Sequence, residues 1–184
     1  MRKLWEFLEL FSEIEQFTYA IGFFSELMVC ILVLSVIYAQ IYNHLVYLIG
    51  FVVGTYLNRF IKNIVQEKRP NKPVKFLEAE SFKTSGSNNF YGMPSGHSQH
   101  VSYSIMYLYL TTHEFYPWIF TCLLIGVLMF YQRWLFRNHT LLQLVVGAML
   151  GVAFAYFVVY LRDLTVMKPV KERVDALAQL RLHI

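Results

Sequence analysis

Three short stretches of this chain collect residues able to hold and transfer a phosphoryl group. In Lys62-Asn-Ile-Val-Gln-Glu-Lys-Arg69-Pro70 two cations stand seven residues apart. On an α-helix that spacing is two turns, about 10 Å of rise, so both would project from one face and could converge on one phosphoryl group or embrace a diphosphate, with Pro70 stopping the helix. Taken alone, a basic helix end snorkelling to the headgroups explains it as well. The second stretch, Tyr91-Gly-Met-Pro-Ser-Gly-His97, precedes a largely apolar run. Pro94 suits the start of a helix, Ser95 suits an N-cap, and the first N–H groups of such a helix cradle an anion. His97 would stand beside that cradle, able to protonate a leaving oxygen. The third stretch, Arg133-Trp-Leu-Phe-Arg-Asn-His139-Thr-Leu-Leu-Gln143, ends one apolar run and opens the next. A neutral imidazole accepts a phosphoryl group if its other nitrogen is fixed by a hydrogen-bond partner. The spacing of His139 and Gln143 puts them on one helical face, where the amide oxygen could do that fixing.

These residues need a scaffold, and the composition says what kind. Of 184 residues 57% are apolar and 15% charged, well under the roughly 25% charge of soluble domains. Five apolar runs, near 18–40, 44–61, 97–113, 117–133 and 141–161, are long enough or nearly so to cross a bilayer core, which takes about 20 helical residues. The expected fold is therefore all-α, a polytopic membrane helical bundle. Residues 1–17, with four glutamates, read as an interfacial amphipathic helix rather than a secretory leader. Residues 18–161 form the membrane-embedded domain, and 162–184 a charged terminal helix. With five crossings, the end of span two, the start of span three, the end of span four and the start of span five share one membrane face. All three reactive stretches lie at those four places, together with the long hydrophilic stretch 63–96.

The composition also excludes alternatives. Cys30 and Cys122 both lie inside apolar runs, which rules out a disulfide framework and metal-type spacing. A net charge of +4, clustered in one stretch, is no nucleic-acid stripe. The aspartates, Asp163 and Asp175, follow span five on the opposite side, and Glu78 and Glu80 alone make no convincing metal cage. Gly50, Gly54, Gly147 and Gly151 permit close helix approach within the bundle. His100, three residues after His97, suits a supporting or packing role, and Glu26 inside span one is unusual without an evident one.

With these motifs in hand, the chain resembles the type 2 phosphatidic acid phosphatase superfamily. That superfamily carries Lys-x6-Arg-Pro, Pro-Ser-x-His and Arg-x5-His-x3-Asp elements, matched here over residues 59 to about 155. Ile61–Pro70, Tyr91–Gln99 and His139–Gln143 are similar in particular to the dolichyl diphosphatase branch. The resemblance implies metal-independent hydrolysis of a lipid-linked phosphate or diphosphate, such as dolichyl or another polyprenyl diphosphate, through a phosphohistidine. His139 would be the nucleophile, oriented by Gln143, and His97 the general acid. Lys62, Arg69, Ser95, Gly96 and Arg133 would hold the phosphate. No cofactor or metal is implied; the partners are the substrate lipid and the membrane. Two positions depart from the superfamily pattern, Gln132 for a serine and Gln143 for the orienting aspartate. The latter is as expected in the dolichyl branch, and Gln143→Glu should then be tolerated or shift the pH optimum. A phosphotransferase on the same scaffold, or a catalytically silent lipid-binding protein, are the rival readings. The resemblance implies an endoplasmic reticulum protein with a lumenal site, whereas the distribution of basic residues leans to a cytoplasmic one.

Overall fold

The structure, a computed structural model, describes residues 24–38, 40–70, 91–112, 117–164, 169–170, 172–173 and 175. The expected interfacial helix 1–17, most of the hydrophilic stretch, and most of the terminal helix beyond 164 lie outside these residues. Five helices run through the described chain: α1 (Phe24–Val36), α2 (Ile41–Val65), α3 (Gly96–Thr112), α4 (Pro117–Leu135) and α5 (Leu141–Asp163). They coincide with the five expected spans to within a few residues at most ends. Helix α5 runs two residues past the expected end, so Arg162 belongs to it rather than to a separate charged segment.

Three of the helices, α2, α4 and α5, are long and apolar enough to cross a membrane by themselves. Helix α3 is shorter and carries Ser98, Gln99, His100 and Ser104 among its buried residues. It can do so because it packs against α2, α4 and α5, most extensively against α5, and so need not face lipid along its length. The outward faces are apolar instead: Ile49, Phe60, Val127 and Met149 are all more than 60% exposed, the arrangement a bilayer solvates.

Lipid tails give helices little reason to associate, so small residues and interhelical hydrogen bonds must hold such a bundle together. Both are found between α3 and its neighbours. A methyl group on Gly147 would lie 2.5 Å from the Ser95 carbonyl oxygen, and one on Gly151 would collide with the Gln99 carbonyl. Asn58 donates to Gln99 Oε1 at 2.7 Å, and Gln99 Nε2 donates to the Gly54 carbonyl at 2.9 Å. Tyr103 donates to the Tyr47 carbonyl (3.0 Å) with the two rings stacked, and Tyr107 donates to that of Asn43 (2.9 Å). At the far end, Arg162 is buried and donates to Asn43 Oδ1 and to the carboxylate of Asp163.

Candidate active site

The ends of α2, α3, α4 and α5 that carry the three motifs do meet, but two of the local geometries differ from those read off the spacing. Lys62 and Arg69 do not share a helix. Helix α2 ends at Val65, and Gln66 turns left-handed (φ 51°, ψ 25°), its N–H donating to the Lys62 carbonyl. The chain then doubles back: Lys68 pairs antiparallel with Tyr91, and Gly92 N–H donates to the Glu67 carbonyl at 2.7 Å. Convergence of the two cations therefore comes from a left-handed cap and a short pairing, four residues before the proline expected to stop the helix.

His139 is likewise not on a helix with Gln143. Thr140 is the N-cap of α5, and Gln143 is its third residue. The Thr140 hydroxyl accepts from Gln143 N–H, and Gln143 Oε1 accepts from Thr140 N–H, both at 3.2 Å, a reciprocal capping box. His139 precedes the cap and reaches back across it, its Nδ1 lying 3.2 Å from Gln143 Oε1. Arg137 takes a left-handed φ of 54°, and the Arg133 carbonyl accepts from both Asn138 and His139 N–H. This tight turn brings His139 back beside the end of α4.

The orientation of the Gln143 amide follows from its neighbours. Its Nε2 donates to Glu67 Oε1 at 2.8 Å and to the Lys68 carbonyl at 3.0 Å. Both partners only accept, so the amide nitrogen must face them and the amide oxygen must face His139. His139 then donates from Nδ1, leaving the lone pair on Nε2. The Gln143 side chain is fully buried, and Gly92 makes room for it, since a Cβ there would collide with the amide. Burial, then the charges of Arg69, Lys62 and Arg133, hold the His139 imidazole far below its ordinary 6.5, so the ring is neutral near pH 7.

His97 stands in the first turn of α3. Its Nε2 lies 2.6 Å from Arg133 Nη2, and its Nδ1 lies 3.7 Å from Glu26 Oε1. Ser95 is fully buried at the N-cap of α3, with its hydroxyl oxygen facing Ser98 N–H at 3.5 Å. The Ser95 N–H donates to the Gln143 carbonyl, tying the starts of α3 and α5 together. What Ser95 has to offer an anion is thus its hydroxyl hydrogen, beside the N–H groups of Gly96 and His97 that open the helix. All eight residues singled out in the sequence, Lys62, Arg69, Ser95, Gly96, His97, Arg133, His139 and Gln143, stand at one end of the bundle. Gln132 is buried, and nothing in the structure explains its place where a serine is usual. Among the described residues no three histidine, cysteine or carboxylate side chains cluster in a way that could hold a metal ion.

Three residues of this site escaped the motif reading. Thr140 was legible, because Thr-x-x-Gln before an apolar run is a capping-box pattern. Glu26 was conspicuous by its place in an apolar run but had no visible partner. Glu67 carried no signal, being one charged residue among several in a hydrophilic stretch.

The arrangement is a buried histidine with a fixed tautomer, with Arg69, Lys62 and Arg133 around it, at one end of a helical bundle. Residues 29–166 match the PAP2 superfamily, and the chain belongs to that family. It is an integral membrane protein of the lipid phosphatase class. The fold is similar to the crystal structure of the first transmembrane PAP2 type phosphatidylglycerolphosphate phosphatase from Bacillus subtilis. The TM-score is 0.62 at 16% identity, over 82% of this chain and 77% of that one. No curated protein matches the chain by sequence.

Proposed function

We propose that the protein hydrolyses a lipid-linked diphosphate or phosphate, with dolichyl or another polyprenyl diphosphate converted to its monophosphate, through a phosphohistidine on His139. The observation that carries this reading is the line Glu67–Gln143–His139, which holds a neutral imidazole with its Nε2 lone pair available. In the first step Nε2 attacks the terminal phosphorus as the bond to the leaving oxygen breaks, and His97 gives that oxygen a proton. In the second step water, losing a proton to His97, attacks the phosphohistidine and releases inorganic phosphate and neutral His139. Lys62, Arg69 and Arg133, with the Ser95 hydroxyl and the start of α3, neutralise charge on the phosphoryl oxygens. Such fixed donors act where the charge develops and do not need to reorganise during reaction. A metal's charge is therefore not required by this arrangement.

The preference for a polyprenyl diphosphate, and placement in the endoplasmic reticulum with a lumenal site, rest on the similarity of the motif residues to the dolichyl diphosphatase branch. The test is phosphate release by purified protein from polyprenyl diphosphate, polyprenyl phosphate, phosphatidic acid and phosphatidylglycerolphosphate. Turnover should be accompanied by an acid-labile, base-stable phosphoenzyme that His139→Ala lacks. Turnover without such an intermediate would refute the mechanism. Faster turnover of a glycerophospholipid than of the diphosphate would refute the substrate, and lipid phosphate appearing in place of inorganic phosphate would mark a phosphotransferase.

A further inference from the structure

We propose that Glu26, on α1, is a positioning residue for the leaving-group acid, holding the Nδ1 side of His97 so that its Nε2 can carry and deliver a proton. The inference rests on the reading of His97 as that acid. A carboxylate in an apolar helix is costly and calls for a partner. Glu26 has two: its Oε1 lies 3.2 Å from His100 Nδ1 and 3.7 Å from His97 Nδ1. His100 is buried, stacked on Phe51 at 4.5 Å between ring centres, with Thr55 Oγ1 3.2 Å from its Nε2. The carboxylate is thus anchored by His100 and presented to His97.

The opposite side of His97 shows why that presentation matters. Arg133 Nη2, 2.6 Å from His97 Nε2, can only donate, so that nitrogen is an acceptor and the ring hydrogen sits on Nδ1, toward Glu26. For His97 to act as an acid, Arg133 must transfer its donor to an arriving phosphoryl oxygen and Nε2 must take a proton from water. The imidazolium then points Nε2–H at the leaving oxygen and Nδ1–H at Glu26. As the P–O bond breaks, its electron pair stays with the leaving oxygen, which takes the Nε2 proton, and His97 returns to neutral. The charged and titratable groups facing His97 are Arg133, Arg69, His100, His139 and Glu26. Of these only Glu26 favours the imidazolium by charge, against two guanidinium groups. Helix α1 thereby supplies a part of the site that none of the three motifs contains.

The experiment compares two substrates that differ in their need for an acid. Phosphatidic acid loses an alkoxide, whereas p-nitrophenyl phosphate loses a phenolate that departs unprotonated. Glu26→Gln keeps the size and an oxygen that can accept from His100 but removes the charge. In full-length purified protein, the kcat ratio of phosphatidic acid to p-nitrophenyl phosphate should fall at least tenfold. In a His97→Ala background, Glu26→Gln should add no further loss. An unchanged ratio in Glu26→Gln beside a lowered one in His97→Ala would overturn this inference alone. An unchanged ratio in His97→Ala would sink the acid assignment and this inference with it. Should Glu26→Gln not purify folded, His100→Leu, which leaves no donor to anchor Glu26, should lower the same kcat ratio, with the same refutation.

Discussion

Replacing Gln143 by glutamate puts a carboxylate behind the proposed nucleophile, and by sequence alone it should be tolerated or shift the pH optimum. The contacts of the Gln143 amide predict a loss of rate instead. The Gln143 nitrogen lies 2.8 Å from Glu67 Oε1 and 3.0 Å from the Lys68 carbonyl, and a carboxylate in its place would aim an oxygen at both. Two like charges 2.8 Å apart repel by roughly 6 kcal/mol at an effective dielectric of about 20. Glu67 is half-buried, so solvent screens part of this, but even a third, about 2 kcal/mol, adds to the loss of a charge-assisted hydrogen bond worth about 1.5–3 kcal/mol. The new side chain should relieve the clash by swinging off His139, at a cost of about 10²-fold or more in kcat, the usual penalty for losing a catalytic hydrogen-bond partner. Adding Glu67→Gln makes that contact complementary again, with amide and carboxylate exchanged, while an oxygen still faces the Lys68 carbonyl, and should recover part of the rate. In that double variant the carboxylate beside His139 raises the imidazole pKa. His139 starts from a pKa of about 2, so a rise of about 1–3 pH units leaves the neutral, nucleophilic ring dominant above pH 5 and adds no acidic limb there. Phosphate release from a polyprenyl diphosphate between pH 5 and 9 measures all three proteins. Wild-type activity in Gln143→Glu, or no recovery in the double variant, would refute the Glu67–Gln143–His139 line.

The other expectations are simpler. His139→Ala should abolish both turnover and phosphoenzyme; more than a few per cent of residual activity would move the nucleophile elsewhere. In the wild type, His139 should contribute no acidic limb between pH 5 and 8, because its pKa is held far below 6.5 and falling pH leaves it unprotonated over that range; a limb there that disappears on changing residues around His139 would contradict this. Gly92→Ala should displace the Gln143 amide and lower kcat about 10- to 100-fold with little change in thermal stability, read from parallel activity and unfolding measurements. Activity should survive a divalent-metal chelator and be inhibited by vanadate; complete loss in chelator, restored by one metal, would sink the charge argument built on Lys62, Arg69 and Arg133.

Much about this protein was determined by residue type and order alone. In a hydrocarbon core long apolar runs pair their backbone groups internally as helices, so five runs long enough or nearly so imply an all-helical bundle, and the alternation of crossings brings Lys62, Ser95, His97, Arg133 and His139 to one membrane face. Gly147 and Gly151 lie on the stripe of Gln143, and a helix with that stripe can approach α3 closely. The way the residues meet was not so determined. Helical periodicity would have joined Lys62 to Arg69 and His139 to Gln143 directly, whereas a left-handed residue at Gln66 and a capping box at Thr140 make both connections. These are backbone choices at helix ends, where a single residue's φ and a side-chain hydrogen bond decide the direction of the chain. The carboxylates that complete the site come from further still. Glu67 reaches Gln143 across 76 residues and Glu26 reaches His100 across 74, and no local pattern encodes a partner at that distance. Only the packing of α1, α2, α3 and α5 against one another sets which charge faces which ring.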